Sequence, residues 1–209
     1  RAEKAGFEGV EIHGAHGYIL AQFLSGKINQ RQDQYGGSLE NRGRLIRDII
    51  DGVRARCSKD FILGLRLSPE RFDVELGDML VFTQTILSDG KIDFLDLSLW
   101  DVCKEPQQEE FKGRTLLSYF TDLERGKVAL GIAGKLRTPE EIRQAMEANI
   151  DFILLGRAAI LHHDYPLQMQ ADHDFQPVTN PVSPEHLRNE GLGEVFVDYM
   201  RTWKGFVAE

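Results

Sequence analysis

Residues 61–67 read Phe-Ile-Leu-Gly-Leu-Arg-Leu. In an extended chain successive side chains alternate between faces. Phe61, Leu63, Leu65 and Leu67 therefore share one face, and Ile62, Gly64 and Arg66 share the other. Large apolar groups opposite an ionised arginine fit a strand of a parallel barrel, with one face packed on helices and Arg66 pointing into the mouth. Outward from this strand the same strand-then-helix beat recurs. Residues 9–13, 94–98, 128–132 and 152–155 read as further short strands. A helix is expected at about 40–56, with Leu45, Ile46, Ile49, Ile50 and Val53 on one stripe and Ser38 as its N-cap. Another is expected at about 76–87. A capping box opens a third, with Thr138 as N-cap, Pro139 in the first helical position and Glu141 reaching back. Beyond a segment bearing Pro177, Pro181 and Pro184, a last helix carries Phe196, Tyr199, Met200 and Trp203 on one face.

Five strands alternating with helices predict an α/β fold with a parallel sheet and crossover helices. An open doubly wound sheet and a closed (β/α)8 TIM barrel both fit that beat. A full barrel takes about 250 residues, so 209 residues with five units correspond to a partial barrel. The expected organisation is a single domain over 1–209, with barrel units over 1–170 and an extension with a terminal helix over 171–209. The chain opens Arg1-Ala2-Glu3-Lys4-Ala5-Gly6, which reads as the last turn of a helix ended by glycine and suggests a segment of a longer chain. With 25 Lys+Arg against 33 Asp+Glu, the net charge of −8 argues against a nucleic-acid partner, which needs a basic patch. No apolar run approaches the roughly 20 residues of a membrane span. Two distant cysteines, Cys57 and Cys103, point to free thiols in a reducing, cytoplasmic compartment.

The stretch richest in chemistry follows the first strand: Glu11-Ile12-His13-Gly14-Ala15-His16-Gly17-Tyr18. A parallel β/α fold places its chemistry at C-terminal strand ends. Two nearby imidazoles can donate to one carbonyl oxygen or oxyanion, and a tyrosine hydroxyl can give a proton. A zinc site would need further ligands, and neither cysteine lies near this loop. Ala133-Gly134 and Gly156-Arg157 close the last two strands, where barrel enzymes commonly hold a phosphate on bare backbone amides. Lys135 reads equally as a phosphate contact and as a solvated side chain. Arg66 reads as a ligand contact or as one half of an ion pair in the mouth. His162-His163-Asp164 and Glu109-Glu110 read as solvated surface, and Asp33 and Arg42 as braces of the long loop.

The stretch at 11–18 resembles the flavin-dependent Old Yellow Enzyme family. The likeness continues through 23–44, in Asn29, Arg31, Asp33, Tyr35-Gly36-Gly37-Ser38 and Glu40-Asn41-Arg42, and runs more thinly to about residue 167. It implies an FMN-containing (β/α)8 barrel of which this chain holds strands four to eight. It further implies an ene-reductase type of NAD(P)H oxidoreductase, with NADH or NADPH as reductant and an electron-poor alkene or similar acceptor as substrate. His13 and His16 match the pair that holds the acceptor's carbonyl oxygen, and Tyr18 matches the proton donor. Arg66 matches the arginine at the flavin pyrimidine edge. Ala133, Gly134, Lys135, Gly156 and Arg157 fall where the phosphate is held, although Lys135 stands where a small apolar residue is usual. The absence of a Cys-x-x-Cys run excludes the iron–sulfur branch. A five-strand arc leaves two sheet edges open, so a preceding segment, a homo-oligomer that completes the sheet, or weak cofactor affinity is expected. An inert half-barrel, or another phosphate-binding barrel such as an isomerase or aldolase, are the alternatives. The last would need lysine chemistry at a strand end, where only Lys135 stands.

Overall fold

The computed structural model describes residues 1–208, which fall into two compact units. The first unit comprises residues 1–135 and 146–153. Its strands are β1 (Gly9–Gly14), β2 (Ile62–Leu67), β3 (Phe94–Ser98), β4 (Ala129–Ala133) and β5 (Phe152–Ile153), with helices α1 (Ile19–Leu24), α2 (Leu39–Arg54), α3 (Leu76–Asp89) and α4 (Leu116–Thr121) between them. All neighbouring strands pair in parallel, and their order in the sheet is their order in the chain. A doubly wound sheet reverses its strand order at a switch point. Here there is no reversal, so the arrangement is that of a partial (β/α)8 barrel.

The alternation read from 61–67 holds. Phe61, Leu63, Leu65 and Leu67 are all buried, joined on the same face by Leu95, Leu97, Leu130 and Ile132. Gly43 of α2 lies so close to the Phe82 ring of α3 that a Cβ there would sit 2.6 Å from it, which sets how tightly these two helices pack. On the opposite face, Phe94 and Phe152 meet edge to face at 5.6 Å and occupy the space above Gly64 and Gly131. Ser38 caps α2 by accepting from the Asn41 amide, and Ile46 and Ile50 form its buried stripe, with Leu45, Ile49 and Val53 half-buried. The opening residues form a short 3-10 turn, Glu3–Ala5, ended by Gly6 in the left-handed region.

The second unit comprises residues 136–145 and those from 154 on. It contains most of α5 (Pro139–Met146), then α6 (Arg157–Leu161), α7 (Tyr165–Ala171), α8 (Pro184–Asn189) and α9 (Glu194–Arg201). The expected capping box is present: the Glu141 amide donates to Thr138 Oγ1 at 3.2 Å, and Glu141 Oε2 accepts from the Thr138 amide at 3.0 Å. Leu161, Val182, Leu187, Val197, Met200 and Phe206 make the core.

Four sequence expectations need correction. The fifth strand covers two residues rather than 152–155, because only Gly131 and Ile132 of β4 pair with it. Between β3 and β4, where no helix was expected, the chain holds α4, capped by Thr115 through its side chain. The buried stripe of α9 runs through Val197 and Met200, while Phe196 and Tyr199 are exposed. His162 is buried rather than solvated: its Nε2 accepts from the Val178 amide at 2.9 Å, and its ring meets Phe175 and Tyr165 edge on.

Candidate active site

The site grows from one row of the sheet. His13 on β1, Arg66 on β2 and Asp96 on β3 are register partners. In a parallel sheet such partners point to the same side, here the side opposite the leucine face. Immediately after β1 the chain turns through His16 and Gly17, both with positive φ (60° and 73°). That turn folds the segment back, so that the His16 ring lies 5.0 Å and the Tyr18 ring 5.5 Å from the ring of His13. His13, His16 and Tyr18 are exposed, and Tyr18 is 63% so. The three side chains therefore present N–H and O–H groups to one volume of solvent at a strand end.

Two serines hold His16, and neither was singled out from the sequence. The His16 amide donates to Ser68 Oγ at 3.0 Å, just beyond β2, and His16 Nε2 lies 2.7 Å from Ser98 Oγ at the end of β3. Partial burial lowers the pKa of His16, helped by the charges of Arg66 and His13, so the ring is neutral at pH 7. A neutral imidazole has one donor and one acceptor nitrogen. When Nε2 accepts from the Ser98 hydroxyl, the proton sits on Nδ1, which becomes the donor left for a ligand.

Beneath the histidines lies a charged row. Arg66 Nε is 2.8 Å from Asp96 Oδ2. The N–H is misaligned with that oxygen, so the contact is ionic without being a hydrogen bond, and Arg66 Nε and both Asp96 oxygens remain unpartnered and buried. Asp96 is fully buried, and burial pushes its pKa up to about 7, against the pull of Arg66 and with a further push from Glu11. Glu11 on β1 is itself raised by partial burial, opposed by Arg66 and His13. One fixed guanidinium thus sits among two reluctant carboxylates. Asp96, Ser98 and Glu11 went unread, although the alternation that turned Arg66 inward applies equally to β1 and β3.

The phosphate candidates are described within their own units. Gly134 packs against the loop after β3: a Cβ there would meet the Asp101 amide nitrogen at 2.9 Å, and its carbonyl accepts from the Val102 amide. Ala133 ends β4 opposite Ser98. Lys135, with φ 54°, is exposed, and its Nζ is 2.8 Å from Asp101 Oδ2. In the second unit Gly156 is the N-cap of α6, with open space where a Cβ would stand, and Arg157 is exposed beside it.

The fold is that of a partial (β/α)8 barrel with a polar row on its inward face, and comparison with known proteins places the chain. It belongs to the NADH:flavin oxidoreductase / NADH oxidase family, whose model matches residues 1–175. It is 33% identical over 183 residues to the probable NADH-dependent flavin oxidoreductase YqiG of Bacillus subtilis, covering 84% of this chain and 49% of that protein. Over 77 residues it is 49% identical to 12-oxophytodienoate reductase 2 of Arabidopsis thaliana, covering 37% of this chain and 20% of that protein. Among solved structures, morphinone reductase superposes with a TM-score of 0.67 at 25% identity, over 89% of this chain and 48% of that one. The chain thus spans about half the length of these relatives or less. Among the described residues, no helix is long and apolar enough to cross a membrane.

Proposed function

We propose that this chain forms the acceptor-binding part of an FMN-dependent NAD(P)H oxidoreductase of the ene-reductase type. The observation that carries the reading is the convergence of the His16 and Tyr18 rings on the His13 ring, at 5.0 and 5.5 Å, above the inward row that holds Arg66. FMN, reduced by NADH or NADPH, supplies the hydride chemistry when bound. The residues present fit such a group, because the row offers buried polar atoms, Arg66 Nε and the Asp96 oxygens, that meet each other in an ionic contact but have no hydrogen-bond partner inside the described chain. Arg66 would hold the pyrimidine edge. Its charge favours extra negative charge on that edge, and its planar fork suits a flat polar partner. For the anionic tail there are two separate candidates, Ala133-Gly134-Lys135 in the first unit and Gly156-Arg157 in the second. The open space over Gly156 supports the second, while Lys135 would have to leave Asp101.

His13 and His16 would bind the carbonyl oxygen of an electron-poor alkene, each donating one hydrogen bond and drawing electron density from the double bond. Tyr18 would deliver its phenolic proton to the α-carbon, which couples acceptor reduction to a proton held at a fixed atom. Homologues named as oxophytodienoate reductases support an acceptor of this class.

In the FMN-loaded protein, Tyr18→Phe is expected to slow reduction of an enone such as 2-cyclohexenone by about a hundredfold, the lower end of general-acid effects. Reduction of the bound flavin by NADH or NADPH should keep its rate. Stopped-flow measurement of the two half-reactions separates them. Equal rates for both with and without the hydroxyl would remove Tyr18 from the mechanism, and a protein that gains no yellow absorbance on incubation with FMN would favour the inert half-barrel.

A further inference from the structure

We propose that Arg71, stacked on Trp100 beside the histidine pair, selects acceptors that carry a carboxylate. This names a substrate class for the acceptor site proposed above and rests on that reading. The starting observation is a small cavity next to His16, with room of about 20 Å³ and walls that include Ser68, Arg71, Phe72, Ser98 and Trp100. That is space for about one water molecule, so an acceptor would meet the cavity's lip and not its interior.

The lip is held in a costly conformation. His16, Arg71, Phe72 and Trp100 have φ of 60°, 75°, 53° and 69°, and among the described residues they are four of the seven non-glycine residues with positive φ. Each such residue costs on the order of 1–2 kcal/mol, and strain of this kind gathers where a site needs a particular geometry. The geometry obtained is a flat platform with a fixed charge. The Arg71 guanidinium carbon lies 4.1 Å from the centre of the Trp100 ring and 5.8 Å from that of Phe72. Phe72 in turn stands 6.4 Å from the His16 ring, edge on.

Charge accounting isolates Arg71. The neighbouring Glu70 is taken up by Lys104 and by the Gln107 amide. Among the described residues no carboxylate pairs with Arg71, in a chain whose net charge is −8. Trp100 leaves 61% of its surface exposed, so an uncovered indole and an unneutralised guanidinium share one lip. An aromatic face that holds a guanidinium in place leaves the fork's N–H groups free for a carboxylate, which can accept two of them at once. An acceptor whose carbonyl reaches the histidines and whose carboxylate lies one ring away would satisfy both ends.

The test uses the chain itself without flavin. It has two tryptophans, Trp100 and Trp203, so the indole N–H region of a nitrogen–proton NMR spectrum carries a reporter and an internal control. Titration with 4-formylbenzoate and, separately, with its methyl ester should shift the Trp100 resonance and leave Trp203 in place. At low ionic strength the acid should bind about tenfold more tightly than the ester. Arg71→Gln should erase that difference while leaving the ester's affinity unchanged, and Arg71→Lys, which keeps the charge without the fork, should restore part of it. Equal affinities for acid and ester, a preference that survives Arg71→Gln in a protein with an unaltered spectrum elsewhere, or no Trp100 shift with either compound would overturn the proposal. Changing His13 and His16 to Ala reports separately on the acceptor-site reading. If both compounds bind that variant as before, the histidine clamp fails while the acid-over-ester preference stands or falls on Arg71 alone.

Discussion

Replacing Asp96 by asparagine is expected to flatten the dependence of stability on pH between about 4 and 7. Asp96 is fully buried, and its pKa rises from an ordinary 3.8 to about 7, chiefly through burial, with Arg66 pulling it down and Glu11 pushing it up. A carboxylic acid whose folded pKa lies above its unfolded value holds its proton in the folded state while the unfolded chain releases it. Its contribution is therefore complete below about pH 4 and is lost as pH climbs towards 7. At about 1.4 kcal/mol per pH unit, that loss is on the order of 4 kcal/mol. Asparagine has no proton to lose, so the difference between the two proteins' unfolding free energies, measured in urea at intervals from pH 4 to 8, should change by that order and then level off. At any single pH the comparison also contains the cost of leaving Arg66 short of its anion, so the slope, and not the offset, is diagnostic. Glu11, raised in the same direction, contributes to the slope of both proteins, so the slope is read from the difference between them. Parallel curves would mean that Asp96 is already ionised at pH 4 and paired with Arg66. If it is protonated near neutrality instead, Arg66 keeps its full positive charge facing inward, which is what holding a developing anion requires.

The fold was legible because its signal is dense. Each buried strand repeats every two residues, and Leu63, Leu65 and Leu67 leave no choice of face. The site was legible only in part, and the boundary is physical. His13, His16 and Tyr18 stand within six residues of one another, so their proximity is a local matter of one turn. Arg66 and Asp96 meet because two strands 30 residues apart align in register, and Ser98 reaches His16 across 82 residues. A single sequence carries alternation within a strand but no register between strands, so Asp96 and Ser98 could be turned inward yet not placed beside a partner. Arg71 escaped for a different reason. Three consecutive non-glycine residues in the left-handed region, Arg71 to Asp73, are foreign to any propensity rule, since that conformation is ordinarily left to glycine or asparagine. His162 shows the converse error. A His-His-Asp run resembles surface, but Val178, Phe175 and Tyr165 close over its first member.

Arg42→Ala should be among the most destabilising single substitutions in the first unit. The side chain enters from the first turn of α2 and is almost wholly buried. Its Nε donates to the Gly37 carbonyl at 3.1 Å, one terminal nitrogen donates to the Leu24 carbonyl, and the other lies 2.7 Å from Asp78 Oδ2 on α3. One guanidinium therefore ties the end of α1, the turn before α2 and the start of α3. These anchor the long loop that follows the His13–Tyr18 segment. Removing it strands two backbone carbonyls in a poorly hydrated space. Asp78 is itself more than a third exposed, so the ion pair adds less than its distance suggests. A loss of about 3 kcal/mol is expected, which for a chain of this size lowers the melting temperature by roughly 6–12 °C. Arg42→Lys should recover under half of that, because a single ammonium cannot reach three acceptors set in a fork. Hydrogen exchange gives the second readout: amides over residues 25–37 should lose protection in Arg42→Ala, whereas those of β2 and β3 keep theirs. A melting point within 2 °C of the parent's would show that the loop is held by the Asn29, Asp33 and Asn41 side chains, which also bond within it, and that Arg42 is merely enclosed by a structure formed without it.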